Sequence, residues 1–415
     1  MPTYSAMLAP GAKPILFVTT ASLLAVLATV PLYIWSGPEA VYASPPWLHH
    51  TTAIAVHLAC GWLALGVFEK LLPARSAVVA AAIFLLHPAQ VESVAAAEGL
   101  RPLIAALGAL AAWRLWTAGR LWIAAAVSAS ASCVHIGAAG LPLALMALEW
   151  GMQRRRQTAW PLALTAVASA AALTLRGGVS FDFFAHQGVA LLRALWVFMI
   201  PIGLAPVPGV EAPPLAASLA WGVIAVIAIL STRGVKAAQE GYWMLVALLL
   251  ALPEFSAFGA DDLASGRRFY LPLAAAAGLS GLALRKTPKP VLALLAILFA
   301  AITLSQTLMW RNETSLWMES ARMSPGELRP RLELSRLLAP AQAVELMEDT
   351  RDQRPGDARV LAALAHAYSR AGRNEDARRT MESALRLAPC SHSARKTARL
   401  LGLNALPPCP STSER

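Results

Sequence analysis

Long apolar runs separated by short polar loops dominate the first three quarters of the chain. The first run extends from Pro14 to Trp35, and it is not closed by the small residues that precede signal cleavage. The later charge-poor runs are 49–68, 76–87, 102–117, 121–135, 137–150, 159–175, 215–230, 241–257, 269–284 and 290–310. Each predicts a membrane-crossing helix of about 20 residues, although several are shorter and the two within 121–150 could form a re-entrant hairpin. We expect an all-α helix bundle with about 11 crossings.

The composition changes abruptly near Trp310. Residues 1–310 contain 18 Lys and Arg and 11 Asp and Glu. The much shorter segment 311–415 contains 17 Lys and Arg and 13 Asp and Glu. The whole chain is 57% hydrophobic and 14% charged, while soluble domains usually carry about 25% charged residues. This balance excludes an ordinary soluble enzyme. It predicts a membrane domain at 1–310, a soluble domain at 311–405 and a disordered tail at 406–415.

Basic side chains in the short loops predict the orientation of the chain, because Lys and Arg are enriched in cytoplasmic loops. These loops contain Lys70, Arg75, Arg114, Arg120, Arg154, Arg155, Arg156, Arg233, Lys236, Arg285, Lys286 and Lys289. Placing all of these basic loops in the cytoplasm requires that residues 188–207 lie at the outer surface of the membrane and do not cross it. The amino terminus is then cytoplasmic and the 311–405 domain periplasmic, in a bacterial inner membrane. The net charge of +11 reflects these loops and does not indicate a nucleic-acid partner.

This orientation collects chemically interesting side chains on the outer side of the membrane. They are Glu39, Glu92, Glu98, Asp182, Glu211, Glu254, Asp261 and Asp262, together with His49, His50, His87, His186, Arg101, Arg267 and Arg268. We therefore expect any functional site at the outer surface. The alternative is that acids are merely tolerated there, because the orientation rule concerns Lys and Arg.

The soluble domain contains an internal repeat. Pro355 and Pro389 are 34 residues apart, which is the period of the tetratricopeptide repeat. The segment between them has residues typical of the repeat at Leu361, Leu364, Ala365, Tyr368, Gly372, Ala377, Met381 and Ala384. A shortened repeat precedes it, and 391–403 resembles a capping helix. A small α-solenoid of this kind is expected to bind a protein or peptide, or to serve only as a structural cap.

Two cysteines of this domain could form a disulfide. Cys390 and Cys409 are separated by 18 residues. If the domain is periplasmic, these thiols lie in an oxidising compartment. The sequence leaves their pairing open.

The segment His87–Val94, HPAQVESV, is the first candidate for chemistry. His87–Pro88 is expected to end an apolar helix at the outer surface, and Glu92 and Arg101 follow. A carboxylate can act as a base, and a guanidinium can hold a phosphate. The structural alternative is that His87 and Glu92 hydrogen-bond and stabilise the loop.

A second candidate combines Arg267 and Arg268 with the nearby Asp261, Asp262 and Tyr270. Paired arginines at a membrane surface suit an anionic or phosphorylated lipid, because the guanidinium is a planar bidentate donor. An Asp–Arg ion pair that closes a loop is the structural alternative.

Histidines within the apolar runs raise the question of a metal. His50 and His57 lie two turns apart on one helix face, and His49 and His87 are the other members of the group. A divalent cation is possible there. However, none of the compact ligand spacings of zinc motifs occurs, and we assign no metal ligands.

Four stretches resemble the transmembrane-and-tetratricopeptide-repeat family of O-mannosyltransferase-like proteins. The most specific is FLLHPAQVESVA at 84–95, which resembles the family's H-P-x-x-V-E-[AS]-V-A motif. The other three are His50–His57, which resembles H-x-x-N-x-x-x-H with Ala53 in place of Asn, Arg267–Pro272, which resembles R-x-x-Y-L-P, and the junction Trp310–Trp317. The resemblance covers roughly 47–390.

The resemblance implies a membrane glycosyltransferase of the C type. Such an enzyme moves a sugar from a polyprenyl-phosphate donor to a hydroxyl of an extracytoplasmic protein. A carboxylate base removes the hydroxyl proton, and basic groups stabilise the departing phosphate. By this resemblance Glu92 is the first candidate for the base and Glu39 and Asp262 are alternatives. The lipid phosphate would be held by Arg101, Arg267 and Arg268, and the supporting residues would be His50, His57, His87 and Tyr270.

Three acidic positions of the family pattern are altered. The first outer loop is short and has Glu39 as its single acid, the family's S-K-E stretch falls on Val134–Ile136, and the acid before Arg267 is replaced by Gly266. A second hypothesis follows, in which the chain is a non-catalytic, membrane-anchored scaffold that recruits partners in the cell envelope. A transporter would require acids at mid-bilayer, and the apolar runs contain essentially none.

Overall fold

The computed structural model describes residues 46–152, 155–174, 181–205, 212–235, 239–256, 266–400, 402 and 409, and the described part is all α-helical. It divides into two compact units, one up to Arg311 and one from Asn312 onward. The helices of the first unit are α1 (Pro46–Leu71), α2 (Ala74–Leu86), α3 (Val91–Ala95), α4 (Leu100–Thr117), α5 (Leu121–Val134), α6 (Leu141–Met152), α7 (Arg155–Thr174), α8 (Phe181–Met199), α9 (Pro214–Gly234), α10 (Gln239–Ala251), α11 (Tyr270–Ala283) and α12 (Lys289–Met309).

The second unit contains six helices in its described residues. They are α13 (Glu313–Met323), α14 (Leu328–Leu337), α15 (Pro340–Gln353), α16 (Ala358–Arg370), α17 (Asn374–Leu387) and α18 (His392–Leu400). Each unit is described by itself below.

The eleven predicted crossings are not supported. Three described helices are long and apolar enough to cross a membrane, namely Trp47–Leu71 within α1, α9 and α12. A fourth crossing arises if α2 and Pro88–Ala95, which are bent by 48° at their junction, count as one span. Other apolar runs form shorter helices, and α5 with 14 residues is about 21 Å long at 1.5 Å per residue. That is less than the roughly 30 Å of a hydrocarbon core. The first predicted helix, Pro14–Trp35, lies outside the described residues.

Small residues allow the helices of the first unit to pack closely. At Gly281 of α11, an added Cβ would lie 2.3 Å from the carbonyl oxygen of Ser76 in α2. At Gly278, it would lie 2.6 Å from the indole of Trp243, which is fully buried. Gly and Ala at such crossings let helix backbones approach each other in a membrane. The core therefore consists of Ala-rich helix faces around a few large aromatic side chains.

Helices α9 and α12 present large apolar side chains outward. Leu215, Leu219 and Ile229 are exposed on α9, and Leu294 and Ile297 are exposed on α12. Exposed apolar surface of this size is unfavourable in water and marks contact with lipid or another protein. These two helices are therefore the best candidates for lipid contact among the described elements.

Several polar contacts join the loops and helix ends of the first unit. Trp116 lies near the end of α4 and Glu149 near the end of α6, and Trp116 Nε1 donates to Glu149 Oε1 over 2.8 Å. Near the start of α12, Arg75 donates to the carbonyl of Thr287, and Arg285 Nη1 lies 3.3 Å from Glu240 Oε1. Arg75 and Arg285, two of the cations predicted for the cytoplasmic side, therefore lie at the same end of the unit.

Local signals explain where the helices of the second unit begin and end. The Asn312 side chain accepts a hydrogen bond from the Ser315 N–H over 2.7 Å, and Asp357 accepts one from the Arg359 N–H over 2.8 Å. Both satisfy an N–H that the helix itself leaves unpaired. The hydrogen-bonded Arg359 guanidinium lowers the pKa of the Asp357 carboxyl. Helix α17 ends two residues before Pro389, which cannot continue it.

Candidate functional site

Arg267 and Glu98 form an ion pair at the other end of the first unit. Arg267 Nη1 lies 2.6 Å from Glu98 Oε2. The Arg267 side chain is mostly buried, whereas that of Glu98 is largely exposed. The pair joins the turn before α4 to the turn before α11. The contact is an acid–arginine pair like the structural alternative considered from the sequence, with Glu98 as the acid; Asp261 and Asp262 lie outside the described residues.

Glu92 is positioned by the backbone of the same turn. Its Oε2 accepts a hydrogen bond from the Gly266 N–H over 2.7 Å. A Cβ at Gly266 would lie 2.8 Å from that oxygen, so the close approach favours glycine. Gly266 stands where the pattern of the resembled family has an acid. In this chain its backbone N–H donates to Glu92.

Arg268 is buried next to an amide side chain. It is 6% exposed, and its Nη1 donates to Gln187 Oε1 of α8 over 3.0 Å. Gln187 was missed by sequence reasoning because an isolated Gln in an apolar run carries no motif. A buried guanidinium of this kind is costly to desolvate and is usually retained for a structural or binding reason.

A histidine–glutamate pair completes the group. His135 Nδ1 lies 3.0 Å from Glu254 Oε1, and Glu254 is 5% exposed. The Gly137 N–H also points at His135 Nδ1 over 3.2 Å. The ring nitrogen therefore donates to the carboxylate when it is protonated and accepts from the amide when it is not. Sequence reasoning placed Glu254 on the outer side but did not identify this pair.

A small cavity connects these side chains. Its volume is about 10 Å³, which is about the room for one water molecule. Its polar lining consists of His135, Glu254, Arg267, Arg268 and Tyr270. Basic and acidic groups thus meet around one enclosed space, but this space is too small for a sugar.

The predicted supporting histidines have structural hydrogen bonds. His57 Nδ1 lies 2.8 Å from the Tyr270 hydroxyl, and His57 Nε2 lies 3.2 Å from the carbonyl of Leu85. His87 Nε2 lies 3.0 Å from the carbonyl of Phe198, and the Ala89 N–H donates to His87 Nδ1. Both nitrogens of each ring are engaged, so neither ring has a lone pair available for a metal.

His50 and the metal hypothesis complete the account of the histidines. His50 is fully buried, and its ring centroid lies 5.5 Å from that of His49. Within the described ranges, no group of three metal-ligating side chains occurs. The predicted divalent cation therefore has no candidate ligand set in the described part of the chain.

The remaining predicted site residues lie apart from the cavity or outside the described chain. Arg101 is exposed at the start of α4 and does not line the cavity, although its neighbour Pro102 does. Glu39, Asp261 and Asp262 lie outside the described residues. The structure therefore brings Glu92, Arg267, Arg268 and Tyr270 to one end of the helical unit.

The described helices of the second unit bury two apolar clusters between them. Ala343 and Met347 of α15 and Ala377 and Met381 of α17 are fully buried. Small residues at the predicted consensus positions let α16 and α17 pack tightly. The core therefore agrees with the predicted pairing of helices within a repeat.

A polar network joins successive helices on the outside of this core. The Tyr368 hydroxyl donates to Glu348 Oε1 over 2.6 Å, and the Arg373 guanidinium lies 4.1 Å from the centre of the Tyr368 ring. Burial raises the pKa of Tyr368, and the bond to Glu348 raises it further. This network connects α15, α16 and the turn before α17.

Cys390 and Cys409 are not joined to each other. Cys409 Sγ lies 3.7 Å from the carbonyl of Pro389 and 3.6 Å from Arg395 Nη1. The disulfide that the sequence left open is not formed.

Residues 339–400 match the tetratricopeptide repeat family. Neither the curated proteins nor the solved structures gave a match to the chain. The match covers α15 to α18 and confirms the repeat that the 34-residue spacing predicted. It provides no family-level evidence for the glycosyltransferase resemblance. The carboxyl-terminal part of this chain is therefore a tetratricopeptide repeat segment, a fold that suggests protein–protein interaction.

Proposed function

We propose that the chain is a membrane-anchored adaptor that holds a protein partner on its tetratricopeptide repeats. The supporting observation is the family match at 339–400, on helices that bury apolar clusters between them. Three to four helices long and apolar enough to span a membrane provide the anchor. Stacked helical repeats present extended surfaces that commonly bind other proteins.

The proposal includes an orientation. The amino terminus lies in the cytoplasm and the repeats lie in the periplasm of a bacterium. Support comes from the basic loop residues at one end of the first unit, where Arg75 and Arg285 lie, whereas Glu92, Glu98 and Glu254 lie at the other end together with Arg267 and Arg268. Cationic loops favour the cytoplasmic side.

Partner capture tests the adaptor function. The tagged full chain and a chain that stops after Arg311 are purified from crosslinked membranes of the same cells, and co-purifying proteins are quantified by mass spectrometry. We expect at least one abundant partner to be lost with the repeats. Equal amounts of both chains in the membrane provide the control for insertion, and an unchanged set of partners would refute the adaptor.

Sugar transfer is a second candidate function. It is favoured by the convergence of Arg267, Arg268, Glu254 and His135 on one cavity, with Glu92 beside it. In this proposal the guanidinium groups bind the phosphate of a polyprenyl-phosphate sugar, and Glu92 takes the proton from the acceptor hydroxyl. Charge stabilisation and proton removal are the two requirements of this displacement. The cavity would have to enlarge to admit a sugar, because its volume is about 10 Å³.

A direct assay tests the second candidate. The purified chain is incubated with polyprenyl-phosphate sugars and a Ser/Thr-containing peptide, and transfer is followed by mass spectrometry. Glu92→Gln and Arg267→Ala are each expected to lower the rate by about 100-fold or more. Arg285→Ala, which removes a cation at the opposite end, should leave the rate unchanged. Transfer that survives both site substitutions would refute the residue roles.

A further inference from the structure

Charge is divided unequally between the two layers of the repeat segment. The first helices of the pairs and the capping helix, α14, α16 and α18, contain eight Lys and Arg and a single acid, Glu333. The second helices, α15 and α17, contain four Lys and Arg and seven Asp and Glu. One layer is therefore strongly basic and the other is acidic on balance.

The three basic helices are neighbours in the fold. Helix α14 contacts α16, and α16 contacts α18. On α16 the spacing of Arg359, Ala363, His366 and Arg370 places these residues along one helix face. Arg336 is exposed on α14, and Lys396 and Arg399 are exposed on α18. We call the cationic positions, namely Arg336, Arg359, Arg370, Lys396 and Arg399, the basic layer.

The middle of the basic layer has little compensating negative charge. Arg370 is held by neutral acceptors, the carbonyls of Ser335, Arg336 and Leu338, at 2.9, 3.1 and 2.7 Å. Burial, and next the charges of Arg370 and Arg336, lower the pKa of His366. The cations of α14 and α16 are therefore close enough to repel additional positive charge.

The end of the basic layer, on α18, carries the exposed cations Lys396 and Arg399. Within the described ranges, neither Lys396 nor Arg399 forms an ion pair with a carboxylate. By contrast, Arg336 is paired with Glu333 and Arg359 with Asp357, each at 2.7 Å. Two exposed cations one helix turn apart suit successive carboxylates of a bound chain.

We infer that the basic layer binds an acidic segment of the protein partner. This inference rests on the proposed adaptor function and names the chemistry of its partner. Charge complementarity supports it, because Asp and Glu side chains would meet the cations of three adjoining helices. A single-stranded nucleic acid is less suited, since such ligands stack on exposed aromatic rings. The aromatic side chain of these three helices, Tyr368, is buried.

Peptide binding to the full chain tests the inference. The protein is placed in nanodiscs of neutral lipid, and a fluorescent 12-residue peptide of alternating Glu and Ser is titrated by anisotropy. The paired variant Lys396→Glu with Arg399→Glu should weaken binding about tenfold, because each reversal replaces an attraction by a repulsion. The matched control is Arg378→Glu with Arg386→Glu on α17, which changes the net charge by the same amount. Its affinity for the peptide should stay within about twofold of that of the unaltered protein.

Three results would overturn the inference. One is equal weakening of peptide binding in both paired variants, which would indicate attraction to the overall positive charge rather than binding at the basic layer. Another is unchanged binding in the α18 variant. The third is tighter binding of a single-stranded oligonucleotide, or of phosphatidylglycerol vesicles, with the same dependence on Lys396 and Arg399.

The two experiments separate this inference from the adaptor function. If the Glu–Ser peptide does not bind but a partner is lost when the chain stops after Arg311, the adaptor stands and the acidic segment is refuted. If the set of partners is unchanged by that truncation, the adaptor itself is refuted.

Discussion

Gly281→Leu is expected to destabilise the helical unit severely. The first atom of the new side chain would lie 2.3 Å from the carbonyl oxygen of Ser76 and 2.9 Å from the Cβ of Ala80. Neither atom belongs to a flexible side-chain end, so α2 and α11 must separate. Overpacking usually costs about 1–3 kcal/mol, and a backbone clash places this substitution at or above the upper end. We expect a clear drop in the thermal unfolding temperature in detergent, with loss of the monodisperse peak on size exclusion.

The matched control for this prediction is Gly222→Leu. Gly222 also lies within an apolar helix, α9, but nothing lies within 4 Å of an added Cβ. Leucine is a better helix former than glycine, so the unfolding temperature should stay the same or rise slightly. Equal losses in the two variants would show that the close crossing of α2 and α11 does not determine stability.

The repeat segment could be predicted because its signal is local. The interval from Pro355 to Pro389 and the small residues Ala365 and Ala384 describe one helical hairpin. A hairpin buries its own residues against a neighbour a few positions away in sequence, so its pattern can be read in a short window. The structure places both alanines in the core with no exposed surface.

The number of crossings could not be predicted in the same way. A charge-poor run indicates burial, but it does not distinguish contact with lipid from contact with other helices. In α10, Trp243, Val246 and Leu250 are fully buried within the protein, whereas α9 exposes Leu215 and Leu219. Both segments look equally apolar in sequence. Only the packing of helices separates a central helix from a peripheral one.

The contacts of the candidate site could not be predicted, for a related reason. The resemblance pointed to Arg267, Arg268 and Glu92, and the structure places Glu92 against the amide of Gly266, which precedes the two arginines in sequence. The contacts that organise them join residues far apart in the chain, since Arg267 and Glu98 are separated by 169 positions and Arg268 and Gln187 by 81. No local spacing encodes such contacts. They become visible only when α4, α8 and α11 are placed side by side.

Met381→Ala is expected to unfold much of the repeat segment. Met381 has no exposed surface and packs in a cluster with Leu361, Ala365, Ala384, Leu385, Ala394 and Ala398. Truncation of a buried Met to Ala costs about 2–5 kcal/mol, because transfer energy is lost and a cavity remains. The smaller members of this cluster are alanines, which cannot extend into the cavity. Hydrogen exchange by mass spectrometry on the full chain should reveal loss of protection in α16, α17 and α18.

The matched control is Met318→Ala on α13, where the same atoms are removed from a side chain that is 54% exposed. Surface substitutions of this kind usually change stability by less than about 0.5 kcal/mol, so protection should be unchanged. Equal loss of protection in both variants would contradict the buried cluster. Because each repeat is stabilised mainly by its neighbours, a defect at Met381 should spread to α18. Since α18 carries Lys396 and Arg399, the Met381 variant should also lose the acidic peptide, whereas the Met318 variant should retain it.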